Sequence, residues 1–161
     1  MIQVSLNEGD LQKVIKRMTR FDKNVRQGVK REVAHSATSI QARARRLIRL
    51  QGAIATGRLR SSVNIRFTRD YLGAVIGTNV NYAGQVEEGQ KPGKWPNVGE
   101  LMRWVTKKIV SRPKRAVRRA TFLIGRKIFK EGTEAKPFMI PAGEKEWSVF
   151  KRNIQKVLKM S

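Results

Sequence analysis

The sequence predicts an α+β fold in which a long N-terminal helix packs on a small, mostly antiparallel sheet, with additional helices toward the C-terminus. Apolar residues at three- and four-residue steps run through Leu11, Val14, Ile15, Met18, Val25, Val29, Val33, Ala37, Ile40, Ala44, Leu47 and Ile48, one helical stripe. Val63, Ile65 and Phe67 then alternate with Asn64, Arg66 and Thr68, the period of a strand with one buried face, and the run Gly73–Gly77 follows at hairpin spacing. Helical periodicity returns over Val98–Val110, Lys114–Glu131 and Gly143–Met160. A chain of 161 residues has room for one core, so 1–161 reads as a single domain.

Taken in order, Ile2, Val4 and Leu6 form a short strand that adds to the sheet edge or packs on a neighbouring copy. Asn7 or Asp10 caps the first helix. Unbroken, that helix would be about 60 Å long, so a break near Phe21–Asn24 or at Gly28 is expected, or cover from another subunit. Gly52 suits its left-handed C-cap. A turn through Thr56–Ser62 leads to the strands, and Tyr82–Glu88 forms a short helix closed by Gly89. Gln90–Pro96 is loop by its Pro and Gly content. Asn97 with Glu100 makes a capping box for the next helix, where Leu101, Trp104, Val105 and Ile109 share a face, and Pro113 ends it. In Lys114–Glu131, Val117, Thr121, Ile124 and Ile128 fall on one side, with Gly132 as the stop. Pro137–Pro141 reads as an apolar edge strand between prolines. The last helix buries Trp147, Phe150, Ile154, Val157 and Leu158, with Glu144 and Glu146 in its first turn.

Charge is the strongest compositional signal. Lys and Arg number 35 against 12 acids, a net +23, well beyond what solubility requires. Arg43, Arg45, Arg46 and Arg49 arrive with no acid between Glu32 and Asp70. Between Glu100 and Glu131 there is again none, while Arg103, Lys107, Lys108, Arg112, Lys114, Arg115, Arg118, Arg119, Arg126, Lys127 and Lys130 all fall there. Exposed helices ordinarily mix signs so that i,i+4 pairs form, and an acid-free block points to a surface facing a polyanion or acidic partner proteins. No segment has the apolar length of a membrane span or a signal sequence, so a soluble protein made in the cytoplasm is expected.

Catalysis is not expected. There is no Cys for a disulfide or thiolate site, and the lone His35 sits mid-helix in a structural or solvent role. Glu87 and Glu88 are the only adjacent acids; neighbours on a helix diverge, so pairing of one with an arginine is expected rather than a shared metal. No phosphate loop, nucleophile elbow or zinc signature is present, and no cofactor is expected. Trp95, Trp104, Phe122 and Phe129 are expected in the core rather than as base-stacking platforms.

Thr56-Gly57-Arg58-Leu59-Arg60-Ser61-Ser62, then Gly77-Thr78-Asn79 with Tyr82-Ala83, then Val86-Glu87-Glu88-Gly89, and finally Pro137-Phe138-Met139-Ile140-Pro141-Ala142 occur in that order. In order and spacing these motifs resemble the head-to-tail joining family of tailed bacteriophages, also described as neck, tail-completion or minor tail proteins. The resemblance implies a non-enzymatic virion protein that forms a ring, sixfold or twelvefold, at the head–tail junction. Its partners would be connector, tail-terminator or tail-tube proteins, with genomic DNA passing nonspecifically through the lumen. It implies framework roles for Thr56, Gly57, Arg58, Leu59, Gly77, Tyr82, Glu87, Gly89, Pro137, Phe138 and Pro141. The stretch at about 92–132 departs from the pattern of compact members, being longer and more basic, and reads as a helical insertion. A nonspecific DNA-binding protein acting outside a virion is the alternative.

Overall fold

The structure is a computed structural model that describes residues 3–5, 23–52, 57–108 and 113–159. The chain forms β1 (Gln3–Ser5), α1 (Lys23–Leu50), α2 (Arg58–Ser62), β2 (Asn64–Phe67), β3 (Ala74–Gly77), α3 (Ala83–Glu88), α4 (Val98–Lys108), α5 (Lys114–Glu131) and α6 (Met139–Lys159). This is a loose, mostly helical α+β arrangement. The expected helical residues Leu11, Val14, Ile15 and Met18, the caps Asn7 and Asp10, and the motif residue Thr56 lie outside the described residues, as do Ile109 and Arg112.

The helical stripe dictates the core. Val25, Val29, Val33, Ala37, Ile40, Ala44 and Ile48 on α1 are all buried, and they pack on β3 and on α6. α6 runs antiparallel to α1, and the Asn153 amide donates to Glu32 Oε2 at 3.0 Å near one end of the pair. No break occurs at Gly28. A Cβ placed there would come within 2.6 Å of Val157 Cγ1, so the glycine admits Val157 and lets the two helices approach while α1 continues through it. α1 ends as expected, with Gly52 at φ 65° and its N–H donating to Arg49 O.

The sheet has the order β1-β3-β2 and is antiparallel throughout, with Val4 and Ile65 both paired to Ile76. The N-terminal strand thus adds to the edge of its own sheet. The expected buried face of the first hairpin strand holds only in part. Val63 is buried, Ile65 is half-buried, and Phe67 points outward. The segment before the strand winds into the short α2 instead of running as a turn, which buries Leu59 in the core.

The Pro137–Pro141 segment is not an edge strand. Residues 134–138 are irregular, and α6 begins at Met139, four residues before the expected start, so Glu144 and Glu146 lie beyond its first turn. Pro141 causes no loss here because first-turn N–H groups have no intrahelical acceptor to give up.

The insertion is a self-contained helical arm. Gln90 N–H donates to Thr133 O at 3.1 Å and Thr133 N–H returns a bond to Gln90 O at 2.8 Å, so the chain leaves and re-enters the body through one antiparallel bridge. Between these residues α4 and α5 pack on each other, with Val105, Val117 and Thr121 buried. The Asn97 half of the expected capping box forms, Glu100 N–H donating to Asn97 Oδ1 at 3.1 Å, while the Glu100 carboxylate turns to Arg58 and Arg103. Gly132 closes α5 at φ 75°, where a Cβ would also run into the Gln90 carbonyl, so a side chain is excluded at the root of the arm.

Candidate functional site

Glu87 ties two of the sequence motifs together. It is only 3% exposed, on the last turn of α3, and its carboxylate faces the start of α6. Phe138 N–H donates to Oε2 at 2.8 Å, Met139 N–H to Oε2 at 3.0 Å, and Ile140 N–H to Oε1 at 2.9 Å. These are donors that a helix start leaves without intrahelical partners, and the carboxylate also sits at the positive end of the α6 dipole. The expectation that Glu87 or Glu88 pairs with an arginine is therefore corrected for Glu87: backbone amides, not a guanidinium, satisfy its charge. Neighbouring motif residues reinforce the joint. Phe138 is fully buried, Pro137 O accepts from the Gln51 side chain at 2.8 Å, and Lys136 N–H donates to Val86 O at 2.7 Å. A Cβ on Gly89 would meet Thr133 O at 2.5 Å, so that position takes only glycine.

The remaining motif residues shape the same side of the body. Gly57 leads into α2, Gly77 ends β3 opposite Asn64, and Tyr82 packs half-buried against the core. Arg58 reaches the arm, its guanidinium 3.0 Å from Glu100.

The basic residues divide by location. Arg45 is turned inward, donating to Val63 O at 2.8 Å beside the Gln41 amide, which donates to the same oxygen at 2.7 Å. Arg43 is half-buried, while Arg46 and Arg49 are exposed. On the arm, Lys107, Lys108, Lys114, Arg115, Arg118, Arg119, Arg126, Lys127 and Lys130 are all exposed. Glu100 takes Arg103 at 2.8 Å, and Glu131 takes Lys127 at 3.7 Å. Exposed pairs of this kind contribute under about 1 kcal/mol each. Among the described residues, Arg115, Arg118, Arg119 and Arg126 have no acidic partner.

Arg115, Arg119, Phe122 and Arg126 follow one another at helical steps and form a single outward stripe on α5. Phe122 is 58% exposed, which corrects its expected place in the core. Trp95 and Trp104 are also substantially exposed. Trp95 lies across Gly125, where a Cβ would come within 2.8 Å of its ring, and stacks on Phe129 with centroids 5.5 Å apart. The arm is one helical pair thick, too thin to enclose these rings, so they cap its surface. Between arm and body runs a mainly apolar groove of about 340 Å³, which no motif foretold.

The described residues contain no group of three or more His, Cys, Asp or Glu able to hold a metal ion, and His35 is exposed. No helix among them is long and apolar enough to cross a membrane.

Asp70, at the tip of the β2–β3 hairpin, has a carboxyl shifted by its hydrogen bonds. The Thr68 hydroxyl, donating to Oδ1 at 2.6 Å, and then Leu72 N–H at 3.1 Å, hold its carboxyl below the usual carboxylate value. A lowered folded-state pKa means that the contribution to stability is present above the unfolded value of about 4 and is lost as pH falls through the folded value. The Leu72 amide resonance should therefore stay in its folded position through pH 5 and move only in stronger acid. In Thr68→Val the midpoint should rise toward the ordinary carboxylate value; an unchanged midpoint would remove the hydroxyl as the cause.

No protein-family model, curated protein or solved structure matches the chain.

Proposed function

We propose that this chain is a non-enzymatic structural protein of a tailed-phage particle, assembled as a ring at the neck, where its basic surface faces the passing genome or acidic neighbouring proteins. The observation that carries the reading is the Glu87 joint. The V-E-E-G and P-F-x-x-P-A motifs lie about fifty residues apart in sequence, yet one carboxylate fastens the second to the first. Motifs that act as a unit make a resemblance built on their order more than a coincidence of small residues.

The arm supplies the second support. It carries thirteen Lys and Arg against two Glu, close to half of the chain's net charge of +23. Placing Arg115 and Arg119 one turn apart costs a few tenths of a kcal/mol in self-repulsion, and a polyanion would remove that cost. The cations sit on a convex helical face without a groove-reading motif, which suits phosphate contact and a genome that slides.

The test is charge reversal on that face, because Arg118 and Arg119 are exposed and make no contact on which folding depends. Arg118→Glu with Arg119→Glu should leave the thermal midpoint within a few degrees of wild type. It should weaken duplex-DNA binding at least about tenfold and lower the salt slope by about 2, equally for any sequence. In a phage carrying the change, particle yield and DNA retention should fall. Unchanged yield and retention would sink the role of the arm. A wild-type protein that shifts DNA as a free monomer and is missing from purified particles would favour the DNA-binding alternative.

A further inference from the structure

The sheet carries an exposed aromatic knob at one end and opens onto the arm–body groove at the other. At the β2–β3 turn, Phe67 and Tyr71 stack with ring centroids 5.7 Å apart, and Tyr71 is 56% exposed. The turn is built to hold that ring outward. Tyr71 sits at φ 59°, the only positive-φ residue other than glycine among those described, a conformation that bulky side chains rarely adopt. Its N–H donates to Thr68 O at 3.0 Å, and Gly73 N–H and the Asp70 carboxylate bond to the same Thr68 side chain.

The opposite end of the sheet, past the Asn64–Gly77 pair, leads into Tyr82 and α3, one wall of the groove. Tyr82, Gln85, Leu101 and Trp104 line it, with Glu100 and Glu134 at its rim. Lys136 lines it too, but its ammonium donates to Gln51 O at 3.1 Å. Glu100 already holds Arg58 and Arg103, whereas the exposed Glu134 has no cationic partner among the described residues, an open acid at one cleft of a protein with 35 cations. The knob, in turn, is flanked by exposed Arg66 and Arg69. A cavity of about 150 Å³ accepts one benzene ring, so the 340 Å³ groove has room for two aromatic rings.

We infer that the Phe67–Tyr71 knob of one copy seats in the arm–body groove of the next, with Arg66 and Arg69 facing the open carboxylate of Glu134. The inference rests on the ring reading above and names its interface. Knob and groove lie at opposite ends of the sheet, so the contact is heterologous: each copy offers one half and receives the other, and the series closes into a ring if the rotation permits. Tyrosine in a desolvated pocket is a common anchor of such interfaces.

Because the chain contains no cysteine, Arg69→Cys combined with Gln85→Cys leaves both rings of the knob in place and introduces the only thiols. Oxidation of the full-length double variant should give a ladder of linked copies ending at the ring, whereas Arg69→Cys alone, Gln85→Cys alone and Arg69→Cys with His35→Cys should each give none. Phe67→Ala with Tyr71→Ala removes the knob, and Gln85→Arg with Glu134→Lys blocks the groove. Each pair should weaken self-association roughly 30-fold or more, as a hot-spot truncation does. Circular dichroism should stay unchanged, since Tyr71, Gln85 and Glu134 are exposed and Phe67 lies at the surface. Mixed together, the two variants retain one good interface and should form a dimer and nothing larger in sedimentation velocity. If wild type forms rings but the knobless variant does so equally well, this interface is wrong and the ring stands. If wild type remains monomeric at every concentration and inside particles, both fail.

Discussion

Glu87→Ala should be the most destabilising of the substitutions considered for this chain, removing a large share of its folding free energy. Loss of the carboxylate strands the N–H groups of Phe138, Met139 and Ile140, the first two in fully buried residues. At about 1–3 kcal/mol for each orphaned buried donor, the loss is about 4–5 kcal/mol, against a total stability of roughly 5–15 kcal/mol for an ordinary domain. Glu87→Gln keeps the shape and one acceptor oxygen but gives up the charge and places an amide NH₂ against donors, so about 2 kcal/mol is expected. The adjacent Glu88 is exposed, and Glu88→Ala should change stability by less than about 0.5 kcal/mol. Urea unfolding followed by circular dichroism distinguishes the three. Equal midpoints for Glu87→Ala and wild type would show that the joint between α3 and α6 contributes nothing.

Excising the arm should have the opposite outcome: a large loss of helix and charge with the body intact. Gln90 and Thr133 are antiparallel bridge partners, about 5 Å apart across the ladder. A two-residue Asn-Gly connection replaces 91–132 without strain on either side. The buried core cluster built on α1, β3 and α6 includes no residue of the arm, so cooperative unfolding should persist with a thermal midpoint within about 5 °C of wild type. DNA binding should fall to the residual level set by the cations that stay on the body, Arg46 and Arg49 among them, because nearly half the net charge leaves with the arm. Loss of cooperative unfolding would mean that α4 and α5 belong to the body core after all.

The elements that were legible in the sequence are those whose signal is local. The stripe Val25 to Ile48, the hairpin with Ile65 opposite Ile76, the Asn97 cap and the Gly132 stop each depend on residues a few positions apart. The PFMIP segment misled because prolines around apolar residues fit both an edge strand and a helix start. Only a partner for its N–H groups decides between them, and that partner lies about fifty positions upstream. Trp95 and Phe122 misled for a related reason: hydrophobicity favours burial, but a two-helix arm has too little volume to cover them.

By itself the sequence determined the periodicities, the turns and the surplus of cations, since each follows from side-chain chemistry read along the chain. Tertiary structure alone decided where Glu87 spends its charge, that residues 91–132 stand apart on one bridge, and that an aromatic knob and an apolar groove occupy opposite ends of the sheet. Those outcomes depend on which distant groups become neighbours after the core closes, and packing, not local propensity, sets that.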